Sequence, residues 1–209
     1  MMAVTKGILT PALFAAGLLL TGCDRVNRVN EALELTGTVS GITPRPIGPD
    51  RLRVSLPGTG AVAALAPIAQ NSDVTVWQTL DGITLSFRRG VLVATRGLGD
   101  DLMSADVEGD VNLLHATGGD GYYPHIRSHL DGENRTVFRS YQCRRTGQAP
   151  TRVKVSDQVT AARRIEVLCV SRGDEFTNIF WLDGAGRVIK SRQWVSTAVQ
   201  YMETERIPR

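Results

Sequence analysis

Along most of the chain, apolar and polar residues alternate with a period of two, the signature of strands with one buried face. Ile83, Leu85 and Phe87 alternate with Thr84, Ser86 and Arg88, and Val74-Thr75-Val76-Trp77 before them is rich in β-formers. Asp81-Gly82 between the two segments is a hairpin signal. Gly90 then turns the chain into Val91-Leu92-Val93-Ala94-Thr95. Further strand patterns cover 135–143, 152–155, 163–170, 176–182, 187–195 and 199–207, with Asp183-Gly184-Ala185-Gly186 as another hairpin turn. Hairpins at this spacing predict a mainly β fold: one antiparallel domain over 51–209, a barrel or a strongly curved sheet.

Other stretches depart from that rhythm. Val26, Val29, Ala32 and Leu33 fall on one helical face, which predicts a short amphipathic helix over 24–35. Residues 43–49 carry Pro44, Pro46 and Pro49 and read as a connection, so 23–50 form an N-terminal helix and linker. Pro57-Gly58-Thr59-Gly60 is a second break, and the Ala-rich stretch behind it to Ala69 reads as a short helix or a loop.

The extreme N-terminus is an address. Behind Lys6, residues 7–20 hold no charge and include Ile8, Leu9, Leu13, Phe14 and Leu18-Leu19-Leu20. A bilayer span takes ~20 apolar residues, and Pro11 interrupts this run, so it reads as a secretory signal. Leu20-Thr21-Gly22-Cys23 resembles the bacterial lipobox. That resemblance implies a signal peptide over 1–22 and a lipid on the Cys23 sulfur; the alternative is a buried Cys closing a membrane helix. Spending Cys23 leaves Cys143 and Cys169, an even pair in a secreted chain. A bridge between them would stabilise by ~3 kcal/mol in the loop-entropy view, against two free buried thiols as the alternative.

Composition narrows the class without naming an activity. The 209 residues are 42% hydrophobic and 22% charged, which excludes disordered, collagen-like and polytopic membrane proteins. A formal charge of +3 is too small to argue nucleic-acid binding. The charge is nevertheless segregated. Residues 73–133 hold ten acids against four arginines, whereas 135–172 hold nine basic residues against two acids. Neighbouring strands in the second region would present a basic face. Arg139, Arg144 and Arg163, with Trp181 and Trp194 as aromatic surfaces, are the candidate binding residues for an acidic polysaccharide. A solvated strand surface is the bland alternative, and the tryptophans serve equally well as core anchors.

Catalytic motifs are missing from the string: it holds no P-loop, G-x-S-x-G elbow or H-E-x-x-H. His125 and His129 stand four apart, but Pro124 and the nearby glycines argue loop or strand, so no metal site is assigned. Asp100-Asp101 read as the cap of a helical turn through Leu102-Met103. Only an assembly of Asp100, Asp101 and Asp106 with Asp120 around a groove would raise an enzymatic reading. No cofactor is implied.

Several strings together resemble the YjbF/GfcB lipoproteins. They are Trp77 through Leu85, Gly90 through Leu98 with Asp101-Leu102, and Leu130-Asp131-Gly132-Glu133 leading to Tyr141-Gln142-Cys143. With them go Cys169, Phe176 through Asp183, and Ser191-Arg192-Gln193-Trp194. The resemblance implies a non-catalytic envelope lipoprotein that assists exopolysaccharide or capsule production. It also implies a barrel-like fold, lipid at Cys23, a Cys143–Cys169 pair, and partners in a periplasmic protein and an outer-membrane barrel of the same pathway. It places the protein at the outer membrane facing the periplasm. Asp24, directly after the lipidated position, resembles an inner-membrane retention signal and leaves that membrane open. Two alternatives stand beside it: a lipid or lipoprotein carrier with an apolar cavity, and a polysaccharide-modifying enzyme.

Overall fold

The computed structural model describes residues 45–115 and 121–207. The helix expected over 24–35, Cys23, and Asp120 lie outside the described residues. Twelve strands and one helix follow in chain order: β1 (Arg51–Leu56), β2 (Ala61–Asn71), β3 (Val74–Gln78), β4 (Thr84–Arg88), β5 (Val91–Arg96), β6 (Ser104–Asp106), α1 (Glu108–His115), β7 (Tyr123–Leu130), β8 (Thr136–Val155), β9 (Gln158–Ser171), β10 (Asp174–Leu182), β11 (Val188–Ser196) and β12 (Gln200–Ile207). They form one sheet in the order β5-β4-β3-β2-β1-β12-β11-β10-β9-β8-β7-β6. Every pairing is antiparallel, and only β1·β12 joins strands distant in sequence. The fold is mainly β and nearly closed.

Closure comes from the two edges meeting. The Thr95 N–H of β5 donates to the Leu102 carbonyl at 2.9 Å, and Met103 N–H donates to Ser128 on β7 at 2.8 Å. The Arg96 guanidinium reaches the Leu102 and Met103 carbonyls at 3.1 Å each. Exposed edge backbone is a pairing hazard, and these contacts cover it. Tight turns set the registers. Arg89 (φ 49°) and Gly90 (φ 92°) make the two-residue β4–β5 hairpin. A Cβ at Gly90 would stand 2.5 Å from the Val188 Cβ, so glycine is required there twice over.

The structure revises three expectations. The Ala-rich stretch is a strand, β2, whose inward residues Ala63, Leu65 and Pro67 alternate with Val62, Ala64 and Ala66, so the contrast between its faces is faint in sequence. Pro67 sits at a register shift against β3, where its missing N–H breaks no ladder. The segments 135–143 and 152–155 are one 20-residue strand, β8, which bends through a bulge between Arg145 and Gly147. The helical turn expected at Leu102-Met103 is extended chain; the helix begins at Glu108, whose N–H donates to Asp106 Oδ1 at 3.2 Å. Asp101 instead binds the Gly97 and Leu98 N–H groups and the Thr95 hydroxyl, folding its own loop.

Two apolar clusters fill the interior. One gathers Phe180, Leu182, Ile165, Val167 and Phe176 under α1 residues Leu113 and Leu114. The other holds Leu52, Leu65, Trp77, Leu85, Phe87 and Met202. Strands β5 and β11 serve both: Val91 and Trp194 pack in the first, Leu92 and Val195 in the second. The split is visible in the hydrogen bonding. The β10–β11 ladder stops at Ile179↔Arg192, and the Asn178 carboxamide takes the Trp194 N–H at 2.8 Å instead.

Candidate functional site

Several polar groups sit inside this apolar packing. Asp110 of α1 is fully buried and lies 2.6 Å from His125 Nδ1 on β7. Arg127, two residues on and facing the same side, is 3% exposed; it donates to the carbonyls of Trp194 and Val195 and stands 5.4 Å over the Phe176 ring. Burial pulls the Arg127 guanidinium down to about 10, which leaves it charged at neutral pH. It spans the barrel to β11 where the β11–β12 register shifts, and so satisfies carbonyls the ladder leaves free. Cys143 and Cys169, opposite each other on β8 and β9, form a fully buried disulfide. The Asp110 carboxylate lies within 4.8 Å of both sulfurs, but those sulfurs are spent in the bridge. The Asp–His pair has the look of an acid–base dyad. Among the described residues the pair is shut away from solvent, with His125 2% and Asp110 0% exposed.

The candidate residues taken from the sequence are scattered. His125 and His129 share a strand, where four residues span ~13 Å; His129 Nδ1 faces the Asp101 carbonyl at 3.2 Å. Arg139 lies 3.6 Å from Asp174, to which the Tyr141 hydroxyl donates at 2.6 Å. Arg139 and Trp194 line a depression of about 130 Å³ at the end of the barrel carrying the 131–135 and 172–173 turns. Trp194 itself stacks on Phe176 with centroids 6.3 Å apart and packs edge-on to Tyr201. Arg144 lies over the Tyr122 ring at the β8 bulge, at 5.6 Å. Arg163 turns inward and donates to the Leu114 carbonyl at 3.0 Å, neutralising the C-terminus of α1. Trp181 is half-buried beneath Arg164, 5.8 Å from its centroid. Adjacent residues of a strand point to opposite faces, which is why a run of basic residues divides in this way. The five do not form one surface.

A different constellation assembles at the opposite end of the barrel. There the 89–90 and 183–187 turns, the end of β12 and the C-terminus of α1 enclose a cleft of about 270 Å³. Leu52, Trp77 and Phe87, all buried, form its floor. Arg89, Arg187, Arg206, Asp73 and His115 stand around it. Burial, then Arg89 and Arg163, lowers the His115 imidazole below its ordinary range, so it is neutral at pH 7. Sequence reading missed these groups because each arginine looks like an isolated turn or strand-end residue. The only signal was that two hairpin turns, 89–90 and 183–187, each carry an arginine beside glycine.

The family described as group 4 capsule polysaccharide lipoprotein GfcB, YjbF, matches residues 47–207. The crystal structure of the hypothetical lipoprotein YmcC from Escherichia coli (K12) shares the fold. Its TM-score is 0.62 at 17% identity, covering 88% of this chain and 95% of that one. No curated protein matches. Among the described residues no helix is long and apolar enough to cross a membrane.

Proposed function

The chain belongs to the YjbF family of group 4 capsule polysaccharide lipoproteins, and from that membership we propose that it is a non-catalytic accessory in secreting or assembling an exopolysaccharide. Lipid on Cys23 tethers the barrel in the envelope, facing the periplasm from the outer membrane, with Asp24 as the feature that favours the inner membrane instead. Its work is binding, either to acidic polysaccharide or to a periplasmic protein and an outer-membrane barrel of the same pathway. The observation that supports this reading is the burial of Asp110, His125 and Arg127, exposed by 0%, 2% and 3%. The interior groups best suited to acid–base chemistry are braces. Among the described residues, two of the carboxylates that an enzymatic reading would need are engaged locally: Asp101 folds its loop and Asp106 starts α1. A lipid carrier would need unfilled apolar volume, whereas the large side chains Phe180, Leu65, Leu85 and Met202 are all fully buried in the interior.

Deleting the gene and measuring secreted and cell-retained polymer tests the proposal. Loss or cellular retention of polymer, reversed by a plasmid copy, is the expected result. Unchanged polymer while the pathway is active would overturn it.

A further inference from the structure

We propose that the cleft between the 89–90 and 183–187 turns binds one carboxylated sugar unit, a hexuronate or similar pyranose, of an acidic glycan. This rests on the polysaccharide-binding arm of the function proposed above and gives it a location.

The charges around the cleft leave a surplus of one sign. Asp73 is taken by Arg88 at 2.9 Å, and Arg187 is held by Asp183 at the same distance. Arg206 is only loosely engaged, 3.5 Å from Asp50, with its guanidinium 5.9 Å over Trp77. The Arg89 side chain has no hydrogen bond or ion pair among the described residues. A planar guanidinium without a partner suits a carboxylate, which it grips through two parallel bonds. Arg89 is also held in place. Its backbone N–H donates to the Asp73 carbonyl at 3.1 Å, and the neighbouring Gly90 packs against Val188 with no room for a side chain.

The remaining groups suit the ring of a sugar. Among the described residues His115 Nε2 is buried without a partner, and a sugar hydroxyl would satisfy it. The apolar floor suits the C–H face of a pyranose. At about 270 Å³ the cleft is smaller than drug-sized pockets, which begin near ~300 Å³. That space fits one residue of a polymer, and its charged rim rejects an acyl chain.

The test is an NMR titration of the full mature lipoprotein in detergent with glucuronate, glucose and inorganic phosphate in parallel. Glucuronate should shift the Arg89, Gly90, His115 and Gly186 resonances, and glucose should not. Arg89→Gln should weaken glucuronate about tenfold, the loss of one charge-assisted contact. Arg206→Gln should act in the same direction, and Arg172→Gln, in the 172–173 turn at the opposite end of the barrel, should have no effect. Glucuronate shifts absent from the cleft, or untouched by both cleft variants, would overturn the assignment. Phosphate binding as tight as glucuronate would make this an inorganic-anion site and overturn the sugar. Failure here in a strain whose gene deletion still loses polymer removes the site alone; a deletion without effect on polymer removes the functional reading.

Discussion

Gln193 on β11 accepts the Leu92 N–H of the edge strand β5 at 2.9 Å, across 101 residues of chain. Its amide nitrogen donates to the Gly90 carbonyl at 3.0 Å and to the Ser191 hydroxyl at 2.8 Å. One buried side chain therefore does the work of a missing strand, ties the edge to the middle of the sheet, and separates the two cores. Gln193→Leu keeps the volume but orphans a buried N–H and a carbonyl, each costing ~1–3 kcal/mol. Urea unfolding should show a loss of about 2–4 kcal/mol, and a change below ~0.5 kcal/mol would deny the side chain this role.

The β4–β5 turn makes a paired prediction. Gly90→Ala suffers both a positive φ and a collision with Val188, while Gly60 has a positive φ of 72° and open space around it. Gly60→Ala should cost ~1 kcal/mol and Gly90→Ala at least ~2 kcal/mol more, compared by thermal or chemical unfolding. Equal losses would mean that Val188 gives way.

The disulfide is sealed in the first core, so it should resist reductant until the protein unfolds. Alkylation and mass spectrometry of the native protein in reductant should find Cys143 and Cys169 unmodified. Replacing both by Ala should lower stability by ~3 kcal/mol, the chain-entropy value for closing a loop of this size, before any cavity term. Rapid reduction of the folded protein would contradict the packing around the bridge.

Acid should weaken the fold in two stages. Burial, then neighbouring arginines, lowers His115; burial, then Arg127, lowers His129. A base with a lowered folded value binds protons more readily when unfolded, so stability falls as pH drops below about 6.5. The Arg135 backbone N–H, with its guanidinium, holds the Asp131 carboxyl low. Burial pushes Asp183 up, but hydrogen bonds from the Arg187 backbone and side chain outweigh it and hold that carboxyl low as well. Their contribution is complete above the unfolded value near 4 and disappears as pH falls through the folded values. Denaturation midpoints measured from pH 8 to 3 should show both steps, and His115→Asn should flatten the first. A flat profile between pH 7 and 5 would contradict the burial of the two histidines.

The sequence made the hairpins from Val74 to Thr95 and from Phe176 to Val195 legible because their apolar faces carry large residues at period two. β2 escaped because alanine on both faces erases that contrast, and β8 read as two pieces because Gly147 and Pro150 mimic a break. The lipobox-like string and the cysteine pair were legible as local motifs. The cleft was not, since Arg89, His115, Arg187 and Arg206 come from four separate places in the chain and meet only through the closure of β1 on β12.

The central claim is that this protein moves or assembles polymer without altering it. The most direct measurement is the sugar composition and linkage of polymer from the deletion strain, set beside its amount and location. The account predicts a lower or cell-retained yield of polymer with unchanged composition and linkages. A normal yield of polymer with altered substituents or linkages would contradict it, because that outcome requires an enzyme.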